Sequence, residues 1–279
     1  MITSKIVDRI DDLPTLPASF NEICRVADEP RSSSREIAAV LERDMVITAK
    51  VLRLINSAFY GMTRKISKVE QAITLLGVSA VKNLIMATSV FKVFGGQEDI
   101  KGLWVHSISV AVTAKIIGQN LHYREIEELF ICGLMHDIGK VVEYKFHSEE
   151  VKAVRGKCLS EELFYWQAEK ELFETTHERI GQLLLSRWKV PDRYCKVVGL
   201  HHRPRLNSEY AMETVTVFLA DALVRSLKLG DSWDGNLVPE IDTWLTEYVN
   251  MKVLDNEEII ELVHTQTDAI LKIFFNDME

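Results

Sequence analysis

Along most of the chain apolar residues recur at three- and four-residue intervals, the spacing that lines one face of a helix. Ser33 and Glu36 stand at capping-box spacing, and Ile37, Val40 and Leu41 follow on one face. After Asp44 a second stripe runs through Ile47, Val51, Leu54, Ile55 and Ala58, and Gly61 supplies a stop. Val78, Val81, Leu84 and Ile85 predict another helix, which runs out before Gly95 and Gly96. The polar, glycine-bearing segment 95–100 is the best candidate for a subdomain boundary.

Helical signals resume at 103–120 and at 124–137, the latter ended by Gly139. Segment 161–170 predicts a further helix. Thr175 and Glu178 repeat the capping-box spacing ahead of a helix through Arg187, and Pro191 suits the first turn of one ending near His202. Residues 214–219 are rich in β-branched side chains, yet their continuation through Val224 is too long for an ordinary strand and predicts helix. Segments 241–249 and 256–275 close the chain as helices after the turn-rich stretch 230–239. The last of these, with Ile259, Ile260, Leu262, Val263, Ile270, Leu271 and Phe274, either closes a core or offers a surface to a partner or dimer mate. With no strand alternation, the pattern predicts an all-α multi-helix bundle. Its expected parts are an N-terminal helical subdomain (1–97), a second helical subdomain (98–229) and a C-terminal helical extension (230–279).

Composition narrows the function classes. The chain of 279 residues is 47% hydrophobic and 27% charged, with a formal net charge of −8. That charge argues against a general nucleic-acid-coating surface or a polybasic membrane patch. Cys24, Cys132, Cys158 and Cys195 form no CxxC pair, so neither a zinc–cysteine site nor a disulfide framework is expected. Residues 1–12 mix charges without an apolar core, and no run of about 18 apolar residues is evident for a membrane span. The expectation is a cytoplasmic protein.

The eight histidines carry the chemistry. His136 and Asp137 stand together at the end of an apolar helix, with Gly139 leaving room for a ligand or metal near the backbone. His201 and His202 end another helix, ahead of Arg203, Pro204 and Arg205; His177 opens one, and His106 lies early in an apolar one. Asp221, between two alanines, is either a cap or ion-pair partner or part of a site. A metal would account for the burial of both aspartates together with several neutral imidazoles. His122, His147 and His264 have no such setting and are assigned to the surface.

Leu13-Pro-Thr-Leu-Pro17, Asp44, Leu54-Ile-Asn-Ser-Ala-Phe-Tyr-Gly61 and Ala72-Ile-Thr-Leu-Leu-Gly77 closely resemble the HDOD family. That family is an all-helical bacterial output domain related to the HD superfamily of metal-dependent phosphohydrolases, and the resemblance spans roughly residues 12–210. His106, the His136–Asp137 pair and Asp221 match the HD pattern. His136-Asp-Ile-Gly-Lys140, His177-Glu-Arg-Ile-Gly181 and His201–His202 are similar to motifs of the HD-GYP phosphodiesterases. The resemblance implies an HD-like bundle in which His106, His136, Asp137 and Asp221 hold one divalent metal. Asp137 would bridge to a second held by His177, His201 and His202. Iron or manganese suits such ligands best, with nickel or zinc also compatible. Two such ions about 3.5–4 Å apart polarise a phosphoryl group and activate water.

On this basis Asp137 and Lys140 are the catalytic candidates. Lys140 either meets a phosphate oxygen or is a solvated residue complementing a helix C-terminus. After His202 the chain departs from the HD-GYP pattern and lacks the loop that contacts a cyclic dinucleotide, which argues against cyclic di-GMP hydrolysis. Arg203 and Arg205 either bind an anionic ligand or form ordinary surface. The expected function is a regulatory signal-transduction module retaining a metal centre, its partner a regulatory protein or a phosphorylated small molecule. The alternatives are an active metal-dependent phosphohydrolase and a metal-free scaffold.

Overall fold

The expected Ser33–Glu36 capping box forms, and Asp44 caps the helix that follows it. Ser33 Oγ accepts from the Glu36 N–H (3.3 Å) while the Ser33 N–H donates to Glu36 Oε2 (2.7 Å), and Asp44 Oδ1 accepts from the Ile47 N–H (3.1 Å). The structure, a computed structural model, describes residues 15–16, 18–27, 29, 32–173, 175–204, 209–249 and 254–275. Its α-helices are α1 (Ala18–Ala27), α2 (Ser34–Leu41), α3 (Met45–Ile55), α4 (Val69–Phe94), α5 (Lys101–Asn120) and α6 (Ile126–Met135). They continue with α7 (Ile138–Glu161), α8 (Tyr165–Leu172), α9 (His177–Arg187), α10 (Asp192–Leu200), α11 (Ala211–Ser226) and α12 (Glu257–Phe275). Short 3-10 turns cover Ala58–Tyr60, Glu98–Ile100 and Thr243–Glu247, and no strand occurs among the described residues. The protein is all-α.

Among the described residues the chain divides into two compact units, one of residues 15–97 with 264–275 and the other of residues 98–263. In the first, Asn56 ties the loop after α3 in place: its amide donates to the Leu52 and Ile66 carbonyls (both 2.7 Å) and accepts from the Ile66 N–H (2.7 Å). Gly61 ends the following 3-10 turn in the left-handed region (φ 57°). The end of α12 joins this unit, where Phe91 meets Phe274 and Phe275 at 4.9 and 5.3 Å between ring centres.

The second unit is built around α5, whose Ile108, Val110, Val112, Ile116 and Ile117 are all fully buried. A helix apolar on every side belongs in a core, and each such side chain contributes roughly 1.5–3 kcal/mol on burial. α5 packs on α6 and α11, α9 packs on α10 and α7, and α7 packs on α8.

Two stretches, Val69–Phe94 and Glu98–Asn120, are long and apolar enough to cross a membrane by length and composition, yet some 61% and 83% of their apolar windows are buried within the protein, as in core helices. Several sequence expectations are corrected. Gly139 does not end a helix: the chain breaks at His136–Asp137, and Gly139 sits in the first turn of α7, which continues to Glu161. Polar residues mask that helix in the sequence. Segment 241–249 forms only the 3-10 turn Thr243–Glu247. Thr176, not Thr175, precedes α9, and it makes no side-chain cap. His147 is buried at a kink in α7, whereas His122 and His264 are exposed as expected.

Candidate metal centre

Helix ends deliver most of the ligand candidates. α6 ends at Met135, His136 follows it, and Asp137 precedes α7, so adjacent residues stand at one junction between two helices. His177 is the first residue of α9, His201 caps the C-terminus of α10, and His202 follows. His106 and Asp221 project from within α5 and α11, which pack together. The absence of a side chain at Gly139 lets α9 approach. A Cβ there would overlap the His177 carbonyl, so the space expected for a ligand is filled by backbone.

All seven predicted metal ligands meet in one place. Asp137 Oδ2 lies 3.3 Å from His136 Nε2 and 3.8 Å from His106 Nε2, while Asp137 Oδ1 lies 3.3 Å from His177 Nε2 and 3.6 Å from His201 Nε2. His106 Nε2 is 3.1 Å from Asp221 Oδ1, and His202 Nε2 is 3.0 Å from His177 Nε2. Donor atoms of His106, His136 and Asp137, and of Asp137, His177, His201 and His202, form two groups compact enough to hold a metal ion, with Asp137 shared.

The other ring nitrogens are anchored outward. His136 Nδ1 donates to the Gly133 carbonyl (2.7 Å), His201 Nδ1 to the Val198 carbonyl (2.7 Å) and His177 Nδ1 to Glu169 Oε2 (2.8 Å). A proton held on Nδ1 leaves the Nε2 lone pair facing inward, which is the tautomer a metal requires.

Burial, above all, pushes the imidazoles of His106 and His202 down and takes His177 to about 4, aided for His177 by the Lys140 charge. These rings are neutral near pH 7. Burial opposes ionisation of Asp137 as well, but the charges of His136 and Lys140 outweigh it and hold the carboxyl well below the usual range. Burial of Asp221 is likewise overcome, chiefly by Arg225. Burial would lower His136 too, yet the Asp137 charge raises it.

Apart from Lys140, sequence reasoning missed the shell around these ligands. Lys140 is fully buried in the first turn of α7, which removes the solvated C-terminal alternative. Its ammonium donates to Asp137 Oδ2 (3.0 Å), the Ser232 carbonyl (2.8 Å) and Asp234 Oδ2 (3.3 Å). Arg225 Nε donates to Asp221 Oδ1 (2.9 Å), and Arg225 Nη2 lies 3.0 Å from Asp234 Oδ2. Asp221 is therefore an ion-pair partner in mid-helix, not a cap. Glu169 also accepts from the His177 N–H (2.8 Å), and Tyr165 donates to Glu143 (3.1 Å). Burial raises Glu143 to about 7 and Glu169 well above the carboxylate range. The visible signals for this shell were the three-residue step from Asp137 to Lys140 and the four-residue step from Asp221 to Arg225.

Arg203 is half-exposed, pairs with Glu178 (3.1 Å) and stacks over Trp166 at 5.3 Å. Arg205 lies outside the described residues.

The donor set fits a cation. Asp137 and Asp221 each give one oxygen to a basic side chain, while Asp137 Oδ1, Asp221 Oδ2, His106 Nε2 and His136 Nε2 are buried without hydrogen-bond partners. Each such orphan costs about 1–3 kcal/mol, and a shared cation would satisfy them together.

Comparison with known proteins places this architecture. An uncharacterized protein of Treponema pallidum (strain Nichols) is 27% identical over 232 residues, covering 81% of this chain and 45% of its own length. The chain thus spans less than half the length of that curated relative. The solved structure of a Shewanella amazonensis SB2B protein, provisionally assigned as a phosphohydrolase, is 24% identical, with a TM-score of 0.75 over 98% of each chain. That of a Marinobacter aquaeolei VT8 protein, provisionally assigned to signal transduction, is 21% identical, with a TM-score of 0.74 over 96% of this chain and 60% of that one. These structures share the fold. The family model for the HDOD domain matches residues 13–204, and the chain belongs to the HDOD domain family.

Proposed function

We propose that this is a bacterial, cytoplasmic signal-transduction module of HDOD type that retains a metal centre. The observation that carries it is the inward convergence of imidazole nitrogens on Asp137, with the opposite nitrogens of His136, His177 and His201 tied outward. His106, His136, Asp137 and Asp221 would hold one divalent cation; Asp137, His177, His201 and His202 would hold a second. Iron and manganese suit this mixed imidazole–carboxylate set best, and nickel and zinc are compatible. Bound there, such ions supply Lewis-acid polarisation of a phosphoryl oxygen. Lys140 keeps Asp137 ionised and in register, and Glu169 orients His177. The partner is a regulatory protein or a phosphorylated small molecule.

Elemental analysis of protein purified without chelator or nickel resin tests this. The expected result is iron or manganese at one to two atoms per chain, lost in His136→Ala and Asp137→Ala. Stoichiometry near zero in the unaltered protein overturns the proposal.

A second reading, metal-dependent phosphohydrolase, is favoured by the cavity of about 650 Å³ that reaches His202. It predicts hydrolysis of a generic phosphodiester or a nucleotide in Mn²⁺ or Fe²⁺, abolished by the same two substitutions. Turnover unchanged by them would belong to a contaminant.

A further inference from the structure

The same cavity is lined by groups of contrasting chemistry. They include His202, Arg203 and Arg225, and also Trp244, Glu240 and Asp242 from the segment after α11. Arg225 is buried and its Nη1 has no hydrogen-bond partner, although its Nε and Nη2 face Asp221 and Asp234. Arg203 uses one nitrogen on Glu178 and is otherwise half-exposed toward solvent. Two guanidiniums beside a candidate metal ligand suit a phosphoryl group.

The aromatic walls differ in a way that selects the body of the ligand. Trp166 already carries Lys170 and Arg203 over its ring, at 4.7 and 5.3 Å. Trp244 has no cation over it among the described residues. It meets Tyr248 only edge-to-face, and its indole N–H donates to Asp242 (3.3 Å). Trp244 therefore has a face for stacking beside the Asp242 carboxylate, and Glu240 lines the same cavity; such carboxylates accept hydrogen bonds and repel a second phosphate.

We propose that this cavity binds a nucleoside monophosphate with an amino-bearing base, phosphate toward Arg203 and Arg225, base against Trp244. The proposal takes from the proposed function only that the ligand carries a phosphoryl group. Its volume lies in the range of small-molecule sites. Most of its lining comes from residues beyond the stretch matched by the family model.

Isothermal titration of the full chain with AMP, metal-loaded and after EDTA treatment, tests it. Saturable AMP binding is expected, with adenosine and ribose 5-phosphate each at least about tenfold weaker. Trp244→Leu should weaken AMP binding about five- to hundredfold, and Arg203→Ala about tenfold or more, both with unchanged circular dichroism. Absence of saturation up to about 1 mM in either metal state overturns the proposal. So does equal binding of ribose 5-phosphate, or a folded Trp244→Leu protein that binds AMP normally. Metal stoichiometry, measured on the same samples, separates this failure from failure of the metal centre.

Discussion

Gly139→Ala sets two effects of opposite sign against each other. A Cβ at Gly139 would stand 2.7 Å from the His177 carbonyl carbon and 2.8 Å from its Cα, and closer still to the carbonyl oxygen. Carbon atoms pack best at about 3.5–4.0 Å, so α7 and α9 would have to part by roughly an ångström. Every contacted atom is backbone, and no side chain can rotate away. Overpacking of this kind costs about 1–3 kcal/mol. Against it, alanine gains at most about 1 kcal/mol over glycine in a helix, and less in a first turn.

The steric effect wins, and the melting temperature should fall by about 2–8 °C, at 2–4 °C per kcal/mol for a unit of this size. Differential scanning fluorimetry in EDTA reads this without interference from metal. Gly156→Ala is the control in the same helix: nothing lies within 4 Å of a Cβ there, and helix propensity alone should raise stability slightly. If Gly139→Ala melts at or above the parent temperature, the packing of α9 on α7 through His177 is wrong.

Lys140→Met removes the cation shared by Asp137 and Asp234 from a fully buried setting, and urea denaturation should show a loss of about 3–5 kcal/mol; a loss under about 1 kcal/mol would mean the lysine is hydrated. Glu169→Ala frees His177 Nδ1, and metal affinity, measured by competition with a chelator, should drop about 10–100-fold. An unchanged affinity would exclude His177 as an oriented ligand. His177 has its pKa lowered to about 4 in the folded protein, against 6.5 for the ordinary side chain. The unfolded chain therefore binds the extra proton between these values, and His177 costs stability as pH falls from 6.5 to 4, on the order of 3 kcal/mol in all. In EDTA, the stability of the parent relative to His177→Gln should decline across that window. A pH-independent difference would refute a buried neutral imidazole.

Helix faces were legible because they depend on residue type at short spacing, whereas the ligand set, spread from His106 to Asp221, was legible through the resemblance to HD motifs. The Ser33–Glu36 box is local, and the structure carries it as written, as it does the placing of His136 and Asp137 together at the end of an apolar helix. The shell was illegible because its members meet only through tertiary packing. Ser232 and Asp234 reach Lys140 across more than ninety residues, and Glu169 reaches His177 from a neighbouring helix. α7 was missed for a related reason. Its polar second half has a weak apolar stripe, and its glycine reads as a stop until the backbone of α9 is seen to occupy the space beside it.

The charges around the centre argue against an inert scaffold. From Asp221 to Arg225, Asp234, Lys140 and Asp137, acid and base alternate through consecutive contacts of 2.9, 3.0, 3.3 and 3.0 Å, all within the interior. A fold that needed only packing would do as well with apolar side chains of similar volume, because buried ion pairs seldom repay their desolvation. What this chain of charges accomplishes is different. It holds both terminal aspartates ionised through one oxygen each, and the other oxygen of each is left without a hydrogen bond in the cluster of imidazoles. Three carboxylates face two basic side chains, so the buried array carries excess negative charge where the nitrogen lone pairs converge. A cation would complete that array. Asp221, Arg225 and Asp234 lie past residue 204, where the family match ends, so the electrostatics of the centre depend on the segment that follows as much as on the matched domain.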